Sequence, residues 1–130
     1  MKRIILFATV LALVIFVSCK KEADPAPTGP VYTKPVVTTA PVTSFSPGFA
    51  FGGGTVISDG GDYVSTRGVA WSTKPNEIFG MCFQTQDGIL TGTFVSKMTI
   101  LPNTTYYVRA YAVNRQNHYG FGQELSFTTP

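Results

Sequence analysis

Few side chains in this 130-residue sequence could do chemistry, for it holds one His (His118) and two Cys (Cys19 and Cys82). A Ser–His–Asp arrangement needs its His beside an activated Ser and an orienting carboxylate. No Gly-x-Ser-x-Gly elbow marks such a Ser, and His118 falls in a turn-like stretch before the last strand-like run. It reads as a loop residue. Cys82, in Gly80-Met81-Cys82-Phe83, would need that same His as its base. A small thiol filling a gap in a core is the plainer reading. Asp59, Asp62 and Asp87 offer oxygens to a loop calcium ion, but their spacing does not reproduce the calcium-loop pattern, and Asp-Gly pairs are ordinary turn formers. Gly52-Gly53-Gly54-Thr55 lacks the Lys-Ser/Thr and the following helix of a phosphate loop and suits a bulged strand. No catalytic residue, metal ligand or cofactor is expected, and general acid–base pairs are missing.

Binding chemistry is better represented. If residues 105–114 form a strand, alternation turns Tyr106, Val108, Ala110 and Ala112 one way and Tyr107, Arg109, Tyr111 and Val113 the other. The first set is apolar enough for a core. The second puts aromatic faces beside a guanidinium, which suits a sugar ring or a protein partner. It equally suits cross-strand pairing on a solvated sheet face. Phe49 and Phe51 alternate with Ala50 and, if Ala50 faces inward, form an outward apolar patch.

The elements that must position these residues are strands. From residue 36 onward the chain is rich in Val, Thr, Tyr and Phe, and no stretch keeps a helical apolar period over three turns. Strand-like runs cover residues 36–45, 48–58, 66–73, 79–85, 91–101, 105–114 and 124–129. Between them stand turn-forming segments such as Asp59-Gly60-Gly61-Asp62, Lys74-Pro75-Asn76, Gln86-Asp87-Gly88, Pro102-Asn103 and residues 117–122. Seven short strands in about 95 residues fit an immunoglobulin-like β-sandwich.

Residues 100–114 resemble the end of strand E through strand F of fibronectin type III domains. An aliphatic residue, a Pro, a Thr and a Tyr fall there at alternate positions, here Ile100, Pro102, Thr104 and Tyr106. The resemblance implies a tyrosine corner, with the Tyr106 ring in the core and its hydroxyl bonded to nearby backbone. Residues 56–61 and 67–76, Tyr119-Gly120 and residues 125–129 look like a version of this domain common in lipoproteins of Bacteroidetes-type bacteria. Such domains are mostly spacers and binding modules.

The basic character of the chain belongs to its start. Ten basic residues oppose seven acidic ones, for a net charge of +3, and four of the ten are Lys2, Arg3, Lys20 and Lys21. The remainder is nearly neutral, which removes the main support for a nucleic-acid partner. Lys2 and Arg3 precede an apolar run over residues 4–17, about 21 Å long as a helix and short of a roughly 30 Å bilayer core. This is the pattern of a secretory signal. The closing Phe16-Val17-Ser18-Cys19 resembles a bacterial lipobox, although Phe16 departs from its aliphatic preference. The resemblance implies cleavage before Cys19, acylation of Cys19 and stable membrane anchoring. Lys20, Lys21, Glu22 and Asp24 loosely resemble the signals that send lipoproteins to the cell surface. Four prolines between residues 20 and 35 make an extended tether of about 50 Å. The expected organisation is a signal peptide over residues 1–18, a lipid-anchored linker over 19–35 and a sandwich over 36–130. The expected place is the outer membrane, at the cell surface or alternatively on the periplasmic face. The expected function is a non-catalytic display or protein-interaction module, or alternatively a surface glycan-binding module using Tyr107, Arg109 and Tyr111.

Overall fold

The computed structural model describes residues 25–26, 29–77 and 79–130. The expected signal peptide, Cys19 and the charges that follow it lie outside the described residues. Among the described residues eight strands run in chain order: β1 (Val36–Ser46), β2 (Phe49–Ser58), β3 (Val64–Ser72), β4 (Phe83–Gln84), β5 (Gly92–Thr99), β6 (Thr105–Asn114), β7 (Tyr119–Phe121) and β8 (Leu125–Thr128). They form two antiparallel sheets packed together, one of order β1-β2-β5 and one of order β4-β3-β6-β7, with β8 also paired to β6.

Alternation builds the core between them. Tyr106, Val108, Ala110 and Ala112 of β6 meet Val64, Val69 and Trp71 of β3 and Ala50, Val56, Phe94 and Met98 of the facing sheet. Tyr106 is buried, its hydroxyl accepts the Leu101 backbone N–H at 2.9 Å, and its ring stacks on Phe127. Ile100 is buried at the same end, while Thr104 donates its hydroxyl to the Pro102 carbonyl. The Trp71 indole N–H reaches the Thr99 carbonyl at 3.1 Å and so joins the sheets.

Two elements differ from expectation. The run over residues 79–85 yields only the two-residue β4, because Gly80 takes a positive φ and Phe79 turns aside to pack on β6. Residues 117–122, expected as a turn, contain β7. Gly120 serves there as a point of close approach, since a Cβ on it would lie 2.0 Å from the Pro35 carbonyl oxygen.

The break between β7 and β8 is filled from β1. Ala110 pairs with Val69 of β3 on one side but has no ladder partner on the β7 and β8 side, where its N–H donates to the Thr39 hydroxyl at 3.0 Å. The Gln123 side-chain amide then bonds both the N–H and the carbonyl of Thr39, as a peptide group would. Buried backbone groups that leave a ladder need such substitutes.

The structured region also begins earlier than residue 36. The Thr33 N–H bonds the Gly60 carbonyl at 2.8 Å, and the buried Asn114 amide donates to the carbonyls of Thr33 and Asp59. The last residues of the expected tether are therefore docked on the domain, at the C-terminal end of β6.

Candidate functional site

The outer face of the five-stranded sheet carries the residues singled out for binding. Across β3 and β6, Ser72 pairs with Tyr107, Ala70 with Arg109, Gly68 with Tyr111 and Thr66 with Val113. The two ends of this face have different fates.

Near Val113 the face is covered. Tyr111, expected to stand exposed beside Tyr107 and Arg109, is only 2% exposed, and Val113 is buried with it. Phe79 packs on Tyr111 with ring centroids 4.8 Å apart, and also meets Tyr119 at 5.6 Å and Phe121 at 5.3 Å. The Tyr111 hydroxyl donates to the Thr85 carbonyl. Gly68 makes that crossing possible, because a Cβ there would lie 2.3 Å from the same carbonyl oxygen. Burial pushes the Tyr111 phenol above its ordinary range, since the phenolate would lose its hydration. Tyr111 is thus packed beneath Phe79, away from the open part of the face.

Near Tyr107 the face is open. Tyr107 and Arg109 are both partly exposed and help line a cleft of about 250 Å³. Ala70, Trp71 and Ser72 of β3 line it too, with Lys74, Asn76, Glu77, Phe79 and Cys82 from the following loop and Phe121 and Glu124 from the far edge. Loop polar groups are fixed from below. Ser72 donates its hydroxyl to Glu77 at 3.2 Å and accepts the Lys74 N–H at 3.1 Å, while the Asn76 N–H bonds Glu124 at 2.9 Å.

Arg109 is held differently. Its Nη2 lies 3.7 Å from a Glu124 oxygen, an ion pair too long for a hydrogen bond, and its guanidinium sits 5.8 Å from the Phe121 ring centroid. Its Nε is buried with no hydrogen-bond partner. A buried donor left unpaired costs roughly 1–3 kcal/mol, and a half-exposed ion pair repays at most about 1 kcal/mol. Two cations (Lys74, Arg109) and two carboxylates (Glu77, Glu124) leave the cleft without net charge.

Other candidates are placed elsewhere. His118 is half-buried at the opposite end of β6, where its Nδ1 lies 3.2 Å from the Thr33 carbonyl oxygen. Cys82 is a free, half-buried thiol on the cleft wall. Asp59 and Asp62 accept nearby backbone N–H groups, and Asp87 accepts the hydroxyls of Thr85 and Ser96. Among the described residues no three His, Cys, Asp or Glu side chains gather as metal ligands. Gly52, Gly53 and Gly54 lie inside β2 between β1 and β5, and a Cβ on Gly53 would strike the Phe94 carbonyl oxygen. Phe49 and Phe51 face outward on the three-stranded sheet, where the Lys97 ammonium lies 3.8 Å from the Phe49 ring centroid.

Sequence reasoning found Tyr107 and Arg109 but missed Glu124, Phe121, Ser72 and the loop from Lys74 to Phe79. Aromatics spaced by two around Gly120 are a strand signal that could have found Phe121. Nothing local in the sequence marks Glu124, whose place depends on the break between β7 and β8.

No protein-family model matches the chain and no curated protein matches it. Among the described residues no helix is long and apolar enough to cross a membrane.

Proposed function

We propose that this chain is a non-catalytic cell-envelope lipoprotein, acylated at Cys19, whose fibronectin type III-like sandwich displays a binding surface away from the membrane. The observation that carries this is polarity. The chain enters the domain at Thr33, against the Asn114 end of β6, whereas the open cleft lies at the Tyr107 end. At roughly 3.4 Å per residue those two positions are about 24 Å apart along the strand. Beyond the cleft, the same end presents an apolar groove of about 290 Å³ among Phe45, Pro47, Leu101 and Pro102. A tethered domain would hold both features outward, toward a protein partner.

The immunoglobulin-like assignment is supported by strand order. The pair of sheets β1-β2-β5 and β3-β6 with β7 and β8 follows the A-B-E and C-F-G pattern. The Tyr106 hydroxyl reaching back to Leu101 follows the tyrosine corner. A non-catalytic role is supported by the position of the single imidazole, at the end of β6 away from the cleft.

A second reading is favoured by the cleft itself. A surface glycan-binding module would use Tyr107 and Arg109 as its contacts, with Tyr111 restricted to supporting them from beneath Phe79.

Protease treatment of intact cells tests the first reading. The native domain is digested without lysis, and Cys19→Ala yields a soluble form that is no longer membrane-bound. Protection of the native domain until lysis would place it facing the periplasm and remove outward display.

A further inference from the structure

We infer that the cleft beside β6 takes an uncharged pyranose, held through a pair of neighbouring hydroxyls by Arg109 and Glu124. This rests on the glycan-binding reading and names the class of sugar.

A hydroxyl donates and accepts at once, so a diol is best met by a donor and an acceptor side by side. Arg109 and Glu124 are such a pair. Their closest atoms are 3.7 Å apart, they do not hydrogen-bond one another, and both line the cleft. Glu124 is held in place by the Asn76 N–H, so one oxygen has a fixed position before any ligand arrives. The charges give no net pull on an ion of either sign. An anion would meet Glu77 and Glu124, a cation would meet Lys74 and Arg109, and the four sum to zero. Tyr107, partly exposed on the cleft wall, offers an apolar ring face for the C–H side of a sugar, and Phe121 backs the Arg109 guanidinium. A volume of about 250 Å³ lies below the roughly 300–1,000 Å³ of drug-sized pockets. One ring fits that size better than a folded peptide.

Calorimetric titration of the full-length protein in detergent tests this with methyl glucosides, galactosides and mannosides and with the matching uronic acids. The expected result is saturable binding of at least one uncharged glycoside, with Kd changing less than about twofold between 50 and 500 mM salt, because no ionic pairing is screened. Arg109→Gln and Glu124→Gln should each weaken binding more than about tenfold without lowering the melting temperature. A more than tenfold preference for a uronic acid, or marked weakening by salt, would overturn the uncharged class and leave a glycan-binding module standing. Neutral binding untouched by both variants would overturn the site. Binding of no saccharide at millimolar concentration would overturn both this inference and the glycan reading. The salt series and the uronate comparison need only the native protein, so a variant that fails to fold does not remove the test.

Discussion

The two ends of the outer face of β6 began with the same alternation and finished with opposite properties. Tyr107 and Tyr111 both point out of the five-stranded sheet, four residues apart on one strand. One borders an open cleft and the other is 2% exposed. The difference lies in what crosses above them. Tyr111 faces a glycine, Gly68, over which the Thr85 carbonyl leans while residues 85–88 follow the edge of β3, and Phe79 seals its other side. Tyr107 faces Ser72, where β3 ends and the loop leaves the sheet. Alternation decides which way a side chain points; the chain that returns over the sheet decides whether it meets solvent.

The inward side of β6 supplies the reference for large effects. Tyr106→Ala should destabilise the fold by about 3–5 kcal/mol, the range for truncating large buried aromatics, as read from urea unfolding. A loss below about 1 kcal/mol would mean that its ring and its bond to Leu101 do not hold this end of the sandwich.

Phe79→Ala sharpens the contrast between the two ends. Its ring is half-buried, so the loss should be about 2 kcal/mol, roughly half that of a core aromatic. Tyr111 should at the same time become reactive to a tyrosine-modifying reagent. If Tyr111 stays unreactive, something other than Phe79 covers it.

A smaller effect comes from Tyr111→Phe, and it depends on pH. Burial raises the Tyr111 phenol above its ordinary value of 10.0, so the folded state holds that proton more tightly than the unfolded chain. The resulting stability is complete below pH 10.0 and is lost as pH rises through the folded value. Removing the hydroxyl deletes this alkaline loss along with the bond to Thr85. The gap between native protein and Tyr111→Phe, near 1 kcal/mol at pH 8, should narrow as pH rises above 10.0. A gap that is constant with pH would contradict a buried phenol.

The legible part of the molecule was the part governed by local period. Val108, Ala110 and Ala112 alternate with polar or aromatic neighbours, and their inward placement needs no more than that pattern. The turn chemistry of Asp59-Gly60 and Asp87-Gly88 was equally visible. Other features required contacts distant in sequence. Gly120 looks like a turn residue until Pro35 is brought against it, and Thr39 looks like a surface threonine until the gap at Ala110 claims its hydroxyl. Half the cleft was invisible for the same reason. Tyr107 and Arg109 share a strand, but Glu124 reaches them only because the pairing beside β6 breaks between β7 and β8.

Thermal unfolding of Tyr107→Ala beside Tyr111→Ala tests the division of this face most directly. Tyr111→Ala should lower the melting temperature by more than about 10 °C, following from a loss near 3 kcal/mol in a domain of this size. Tyr107→Ala should shift it by less than about 3 °C, as expected of a partly exposed side chain. Equal losses at the two positions would make Tyr107 a packing residue like Tyr111 and contradict the division of this face into a covered end and an open one.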